Sequence, residues 1–339
     1  MHSKYDLNLF ECPRDHSNIR VEGEHLCCAL GHKYPIVSGI PVFLLSEKDQ
    51  TIETATTSLK AAESKIDAPL YVETLGISAE QRREVERNWA SGQTRIDPAI
   101  SFLIGATSGS SYANSVGRLE SYPIPNIPIR NGNGDRLLDI GSSWGRWSVS
   151  AARKGWRVIG IDPSLGALLA AQRAFSRLGL EMTFVCGDAR FMPFKPASFR
   201  CVFSYSVIQH LSEPDAGIVV GEVARVLSRG GFAKIQMAHK GGLRSTYSRT
   251  RRDYLSGGSF RVRYWSLLSI RELFEDKIGP SVVMAEAFGG LGLLAEDRKY
   301  VSTKARVLIT ISTLVKRLSS FVRPLIQLAD SVYVISRRE

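Results

Sequence analysis

The segment Arg136-Leu-Leu-Asp-Ile-Gly-Ser-Ser-Trp-Gly-Arg-Trp147 decides the fold of this 339-residue chain. A short apolar run reaches Asp139, passes into a Gly-rich turn and then enters a helical pattern. This order predicts a strand, a tight loop and a helix N-terminus, which together present backbone N–H groups to a nucleotide-like ligand. A second apolar run, 157–161, ends at Asp162, where an acid can accept both hydroxyls of a ribose. The unit predicts an adenosine-containing cofactor.

The spacing of the glycines indicates which cofactor this is. The dinucleotide fingerprint G-x-G-x-x-G lets the backbone approach a pyrophosphate, whereas the loop Gly141-Ser-Ser-Trp-Gly145 has two glycines and a bulky Trp144. Asp139 would repel a pyrophosphate but suits a ligand with an amino group and a positive sulfur. The loop resembles motif I of class I S-adenosylmethionine (SAM) methyltransferases, roughly D-x-G-x-G-x-G, with Ser143 in place of the middle glycine.

Three further segments resemble the same family, in its order. The run 184–194 around Asp188 resembles the third-strand motif, and 202–211 resembles the fourth strand and following turn of the type-11 branch. The run 227–236 resembles the helix end, double glycine and fifth strand. Together the motifs cover about 135–240. One departure is Arg200, where the family usually has an Asp.

Alternating strand and helix patterns predict an α/β fold, a doubly wound and mainly parallel sheet with its ligand beyond the carboxyl ends of the strands. The predicted strands are 136–140, 157–161, 182–186, 200–204 and 232–237, and the predicted helices are 145–154, 165–178 and 214–227, the last ended by Gly230-Gly231. The resemblance implies a seven-stranded, Rossmann-like sheet completed by an antiparallel pair, placed at 281–287 and 331–336.

The resemblance also implies roles in cofactor binding, residue by residue. The loop backbone would approach the methionyl group, Asp139 would hold its amino group, and Asp162 would bind the ribose. Asp188 and the next residue would bind adenine, and a carbonyl at the end of the fourth strand would complete the site. The full set is Asp139, Gly141, Ser142, Gly145, Asp162, Asp188, Ala189 and Ser204. Asp139 and Asp162 could instead be strand-end turn formers.

Methyl transfer is an in-line displacement from an activated sulfonium, so alignment of the acceptor and exclusion of water are the main requirements. The family has no universal catalytic residue. His210 and His239 follow the fourth and fifth strands and are candidate bases because imidazole titrates near neutral pH. Each could equally have a structural role. Tyr205 is expected to line the methionine pocket or to pack.

Residues 1–46 resemble the small Trm112-like or zinc-ribbon modules that precede some methyltransferase domains, through Tyr34-Pro-Ile-Val-Ser-Gly-Ile-Pro-Val-Phe-Leu44. Those modules usually carry C-x2-C twice, and here two of the thiolates are missing. The proposed zinc ligands are Cys12, Asp15, Cys27 and His32, a set also similar to the zinc module of rRNA guanine-N1 methyltransferases. The alternative is a metal-free module in which Cys12 and Cys27 pack as apolar residues. Cys28 is expected to have no partner.

The remaining organisation is inferred from composition. Residues 47–134 are expected to form a helical linker and cofactor lid, with a capping box at Ser78 and lid residues Tyr112 and Arg118. Residues 135–339 form the predicted methyltransferase domain, with a basic amphipathic insertion at about 289–330. Within it, 303–327 places apolar residues on one helical face, and Pro324 should bend or end the helix. That face is expected either to pack on the sheet or a second copy, or to contact a membrane or lipid-linked acceptor.

Net charge +11 favours polyanions or acidic lipid surfaces, although a solvated basic face is the simpler interpretation. Five irregularly spaced cysteines and no apolar N-terminal core indicate a soluble, cytoplasmic protein, with a peripheral position at the membrane as the alternative. The sequence therefore predicts a SAM-dependent methyltransferase acting on a small-molecule or glycan- or lipid-linked acceptor. The alternatives are an rRNA or tRNA methyltransferase, for which 261–265 is the one basic-aromatic run, and a non-catalytic scaffold with the same fold.

Overall fold

The computed structural model describes residues 6–64, 78–92, 94–108, 117, 119–250, 262–290 and 294–339. Within these ranges the strands are β1 (Ile19–Glu22), β2 (His25–Cys28), β3 (Lys33–Val37), β4 (Ile40–Pro41), β5 (Arg136–Ile140), β6 (Arg157–Asp162), β7 (Thr183–Cys186), β8 (Phe199–Ser204), β9 (Leu227–Ala238), β10 (Ser281–Ala287) and β11 (Ser331–Arg337). The helices are α1 (Glu53–Glu63), α2 (Ala79–Ser91), α3 (Pro98–Ser108), α4 (Arg146–Arg153), α5 (Leu165–Arg177), α6 (Glu213–Val226), α7 (Leu243–Thr250), α8 (Leu267–Lys277) and α9 (Thr303–Ser319).

Seven strands form the main sheet in the order β10-β11-β9-β8-β5-β6-β7. The pairings β6–β7, β5–β6, β5–β8 and β8–β9 are parallel, and β11 runs antiparallel to both β9 and β10. The predicted doubly wound, mainly parallel sheet is confirmed, including the strands at 281–287 and 331–336. The chain order reverses on the two sides of β5. Ligands of such sheets bind at this switch point, in the space beyond the carboxyl ends of β5 and β8, which is called the crevice below.

Local sequence signals account for the helices on either side of the sheet. Ser164 and Ser212 cap α5 and α6 by accepting hydrogen bonds from Ala167 N and Asp215 N. The predicted capping box at Ser78 is present at the start of α2. The apolar faces of α5 and α6 are buried against the sheet. These caps and apolar faces explain why the element boundaries could be predicted closely.

One predicted boundary is wrong. The double glycine at Gly230-Gly231 was expected to end the helix before the fifth strand, but α6 ends at Val226 and β9 begins at Leu227. Leu227 pairs with Phe199, and Phe232 pairs with Cys201, so the residues between form an irregularity in the β8–β9 ladder. Gly230 takes a φ of +70° there. The glycines therefore serve a bulge in the strand and not the helix terminus.

The N-terminal strands form a separate four-stranded antiparallel sheet in the order β1-β2-β3-β4. This small module extends the main sheet at its β7 edge, because Val42 forms a parallel bridge with Cys186 and Phe43 N donates to Cys186 O at 2.7 Å. Phe10 bridges Phe194 in the same region. The module therefore shares one hydrophobic core with the main domain and covers the exposed edge of β7.

The segment predicted to be amphipathic forms α9, and a short 3-10 helix, Arg323–Leu328, follows it. Pro324 lies in this second piece, so the predicted end of the helix before the proline is confirmed. In the part of the chain that the structure describes, no helix combines the length and apolarity needed to cross a membrane.

Candidate functional site

The loop after β5 is a tight turn in which three residues have left-handed backbone conformations. Gly141, Ser143 and Gly145 all have positive φ values, of 70°, 47° and 84°. A Cβ at Gly141 would lie 2.3 Å from Val207 Cγ2, so both the conformation and the space require glycine there. Ser143 adopts the left-handed conformation in the position where the family has its middle glycine. Ser143 therefore takes a backbone conformation that glycine favours.

The acid at the end of β6 holds this loop in place. Asp162 Oδ2 accepts a hydrogen bond from Ser143 N at 2.8 Å, and its Oδ1 accepts one from Ser164 N at 2.9 Å. Burial raises the pKa of Asp162 to about 6, against the lowering effect of these two amides. The carboxylate thus links the loop after β5 to the start of α5 and keeps free lone pairs for hydroxyl groups.

A second buried acid lies beneath the same loop. Asp139 in β5 accepts a hydrogen bond from Ser148 Oγ in α4 at 2.5 Å. Burial raises the pKa of Asp139 to about 7, and the neighbouring charge of Asp162 acts in the same direction. Two carboxylates that are costly to ionise here are suited to a ligand that brings positive charge and hydroxyl groups.

Two serine hydroxyls at the loop are buried without a hydrogen-bond partner among the described residues: Ser142 Oγ and Ser143 Oγ. Buried polar groups in folded proteins are nearly always paired, so such atoms mark a place where a ligand or water belongs. These groups fit SAM. The two carboxylates could bind its ammonium group and ribose, the small residues of the loop leave room for its methionyl group, and the two serine hydroxyls could bind polar atoms of the ligand.

The predicted adenine residue has a partner that the sequence did not reveal. Asp188 binds Arg190 through both carboxylate oxygens, with the shortest contact 2.7 Å, and Arg190 also donates to Asp215 Oδ1 and to Asp49 O. The ion pair orients the carboxylate of Asp188, which lies just past the end of β7 and is followed in the chain by Ala189. At the fourth strand, Ser204 Oγ donates to Ile140 O at 3.1 Å and joins the ends of β8 and β5.

The strand ends therefore bring the eight predicted cofactor residues to one edge of the sheet, on four adjacent strands. Their individual contacts with a cofactor stay predictions. The predicted lid residues Tyr112 and Arg118 lie outside the described residues.

The two candidate bases have different environments. His239 is buried directly after β9, and its Nδ1 donates to Ala329 O at 2.8 Å. Burial lowers the pKa of His239, and the bond to Ala329 O fixes the tautomer with a proton on Nδ1. His210 ends a 3-10 helix, Ile208–His210, and its carbonyl accepts from Arg263 Nη1 at 2.6 Å. The contacts of His239 suit a structural role. His210 therefore stays the candidate base.

A polar cluster beyond β8 was not predicted from the sequence. Tyr205 packs on Trp147 with ring centroids 4.6 Å apart, and the hydroxyls of Tyr205 and Tyr333 are buried without a partner in the described structure. Glu286 lies nearby on β10; burial raises its pKa, and Lys316 Nζ donates to it at 2.6 Å. These residues come from strands far apart in sequence, so only the sheet order brings them together.

The N-terminal module contains four potential metal ligands. Ligand atoms of Cys12, Asp15, Cys28 and His32 all lie within 4.8 Å of one another. His32 Nδ1 is 3.5 Å from Cys12 Sγ, 3.4 Å from Cys28 Sγ and 2.8 Å from Asp15 Oδ2. Two sulfurs, a nitrogen and a carboxylate oxygen at these separations suit a tetrahedral zinc ion, whose bonds are about 2.0–2.3 Å long.

The predicted ligand Cys27 is wrong, as is the expectation that Cys28 has no partner. Adjacent residues of a strand point to opposite faces, and β2 turns Cys28 toward His32 and Cys27 away from it. Cys27 pairs with Arg20 across the β1–β2 ladder and lies beside Glu22. The register of a two-stranded ladder decides between the two cysteines, and the sequence does not show that register.

Comparison with known proteins agrees with this geometry. Residues 137–231 match the family model described as a methyltransferase domain. The biotin biosynthesis bifunctional protein BioHC of Cellvibrio japonicus is 37% identical over 108 residues, which are 32% of this chain and 20% of that protein. The ubiquinone biosynthesis O-methyltransferase of Nitrobacter winogradskyi is 31% identical over 99 residues, 29% of this chain and 37% of that protein. The demethylmenaquinone methyltransferase of Renibacterium salmoninarum is 32% identical over 98 residues, 29% and 39% of the two chains.

Among solved structures, phosphoethanolamine N-methyltransferase 2 of Haemonchus contortus in complex with SAM aligns with a TM-score of 0.44 and 20% identity, over 76% of this chain and 57% of that one. The chain matches less than half the length of each of the curated relatives named above. Residues 137–231 are therefore similar to methyltransferase domains, and they lie within the seven-stranded, mainly parallel sheet.

Proposed function

We propose that the protein transfers the methyl group of SAM to a small-molecule acceptor. The observation that carries this proposal is the arrangement of buried acids and serines at the switch point of the sheet. There, Asp162 fixes the loop through Ser143 N, next to Asp139 and two serine hydroxyls that have no partner among the described residues. The matched family supports the reaction type. The names of two relatives, which refer to ubiquinone biosynthesis and to demethylmenaquinone, support a small organic acceptor.

In the proposed reaction the chain's residues position and enclose the reactants. SAM would supply the electrophilic methyl group. Asp139 would hold its ammonium group, Asp162 its ribose hydroxyls, and Asp188 the adenine amino group. Positioning of this kind can contribute several kcal/mol to lowering the barrier. The acceptor would enter beside Tyr205, whose buried hydroxyl has no partner in the described structure. If the acceptor atom carries a proton, His210 is the candidate to accept it.

Nucleic acid is a weaker candidate acceptor. Arg261 lies outside the described residues, and the remaining part of the basic-aromatic run is folded into the domain. Trp265 is buried and forms a parallel bridge with His239, while Arg263 donates to His210 O. A buried indole is not available for base stacking, which ribonucleoprotein surfaces usually require.

The proposed reaction can be tested with SAM carrying an isotopically labelled methyl group. Purified protein is incubated with an extract separated into small-molecule, lipid, protein and RNA fractions, and label is measured in each. We expect label in the small-molecule or lipid fraction and at least a hundredfold loss in Asp162→Asn. Asp276→Asn, an exposed carboxylate on α8, serves as the matched control and should keep full activity. Label found mainly in RNA would contradict the proposal.

We also propose that Cys12, Asp15, Cys28 and His32 bind a structural zinc ion. Asp15 is already oriented by Ser17 N, which donates to its Oδ1 at 2.8 Å, and Cys12 Sγ lies 3.0 Å from Tyr34 Oη. Such outer contacts orient ligands in metal sites. Because Phe43 N of the same module donates to Cys186 O at the carboxyl end of β7, a zinc ion here would stabilise that edge of the sheet.

Metal analysis of protein purified under reducing conditions tests the zinc site. We expect about one zinc per chain, lost in Cys28→Ser and retained in Cys27→Ser. The second variant is a matched control because Cys27 is the adjacent cysteine on the opposite face of β2. Zinc content near zero in the unaltered protein, or equal loss in both variants, would refute the assignment.

A further inference from the structure

The helix α9 exposes an apolar stripe to solvent. Its members are spaced by four, three, four and three residues, which places them on one side of a helix. They are Val307, Ile311, Leu314, Leu318 and, just past the helix end, Phe321. Their exposed fractions lie between 52% and 86%. Contiguous apolar surface of this kind marks an interaction site, because isolated soluble domains rarely expose it.

The helix is held to the domain by the side opposite this stripe. Ser312 Oγ accepts a hydrogen bond from Phe288 N at 2.9 Å, and Lys316 Nζ donates to the buried Glu286. Ile309 is the large apolar residue of α9 that is fully buried. Leu308 and Val315 are half-buried on the same side, and Val315 packs against the core. These contacts hold the helix with the stripe facing solvent. The stripe can therefore bind a partner without a rearrangement of the fold.

Positive charge surrounds the stripe. The segment 303–323 contains five lysines and arginines and no aspartate or glutamate. Lys304, Arg306, Arg317 and Arg323 are exposed. On the helix, Lys304 lies on one flank of the stripe, and Arg306 and Arg317 lie on the other. An apolar band bordered by cations on both sides is the pattern of helices that lie in the plane of an anionic lipid surface.

We infer that α9 docks the protein on anionic membrane surfaces, with the stripe inserted at the headgroup level and the flanking cations against lipid phosphates. Charge complementarity decides between this occupant and a second copy of the chain. A symmetric contact between two α9 stripes would bring two sets of like charges together with no acid in the segment to pair them. An acidic lipid surface neutralises all of them.

Vesicle co-sedimentation of the full chain tests the inference. The two vesicle types are pure phosphatidylcholine and a 3:2 mixture of phosphatidylcholine and phosphatidylglycerol, each at low and high salt. We expect binding to the acidic vesicles that is stronger than to the neutral ones by about tenfold and that weakens at high salt, because both burial and charge contribute. The double variant Ile311→Ser/Leu318→Ser should bind acidic vesicles about tenfold more weakly. Lys304→Gln/Arg317→Gln should lose the preference for acidic vesicles.

The matched control is Ile218→Ser/Leu268→Ser, which removes two similarly exposed apolar residues from α6 and α8. It should bind like the unaltered protein. Equal vesicle binding by the unaltered protein and the stripe variant would overturn the inference, as would absence of binding to acidic vesicles. Light scattering that shows a dimer broken by the stripe substitutions, without vesicle binding, would identify a second copy as the occupant and overturn it as well. Since the assay needs no SAM, its outcome is independent of the proposed methyl transfer.

Discussion

Because of the two buried acids at the crevice, we expect cofactor binding to weaken when the pH is lowered from 8 to 6. The binding can be measured with S-adenosylhomocysteine, which keeps the ammonium, ribose and adenine groups of SAM. In the free protein burial raises the pKa of Asp139 to about 7 and that of Asp162 to about 6. A cationic ammonium favours the ionised form of Asp139. Tight binding therefore requires that this group lose its proton first.

The size of the effect follows from these values. If only ionised Asp139 binds, the observed Kd is multiplied by one plus ten to the power of pKa minus pH, which is about 11 at pH 6 and about 1.1 at pH 8. Affinity should thus fall about tenfold between pH 8 and pH 6. The same reasoning for Asp162 adds a further factor of about two. Binding at pH 6.5 should release close to one proton per site.

Isothermal titration calorimetry measures both quantities, the second by repeating the titration in buffers of different ionisation enthalpy. In Asp139→Asn we expect weaker binding at pH 8 and most of the pH dependence gone. Asp276→Asn, whose carboxylate is exposed on α8, should behave like the unaltered protein. A Kd that is constant from pH 6 to pH 8, or no proton release at pH 6.5, would show that the acids do not face the ligand as argued.

Three further results are expected. Because their pKa values are raised, the buried acids keep protons in the native state that the unfolded state releases above pH 4, so the free energy of unfolding should fall from pH 5 to pH 7. The fall should be steeper than in Asp139→Asn by up to about 1.4 kcal/mol per pH unit, and equal slopes in urea unfolding would contradict this. Gly141→Ala should weaken S-adenosylhomocysteine binding at least tenfold and lower the free energy of unfolding by about 1–3 kcal/mol, because its Cβ would clash with Val207. Gly134→Ala, which has a similar φ but open space around it, should leave calorimetric binding unchanged, and equal effects of the two variants would argue against the clash. Arg146→Met removes the guanidinium that pairs with the buried carboxylate of Asp297 and should cost about 3–5 kcal/mol, while Arg95→Met in an exposed pair should cost under about 1 kcal/mol; similar thermal midpoints for the two variants would refute the role of the buried pair.

The main sheet could be predicted closely because its signals are local. The strand over 136–140 was predicted at its observed bounds, since an apolar run, Asp139 and Gly141 fix its end. Capping serines did the same for α5 and α6. The motifs also placed the cofactor residues at one sheet edge, because the carboxyl ends of parallel neighbours lie together.

The features that could not be predicted depend on register or on distant pairing. Cys28 and not Cys27 joins the metal cluster because of how β2 is turned, and adjacent residues give no sign of that. The pair Arg146–Asp297 joins residues 151 positions apart, and Val42 meets Cys186 across a similar distance. The outward orientation of α9 was one of two alternatives, since an apolar stripe has the same sequence pattern whether it is buried or exposed.

A structure of the protein crystallised with S-adenosylhomocysteine tests the central claim most directly. We expect the ligand between the carboxyl ends of β5 and β8, with its ribose hydroxyls on Asp162 and its ammonium group near Asp139. A crevice that holds a dinucleotide instead, or a ligand bound with its ribose away from Asp162, would contradict the account.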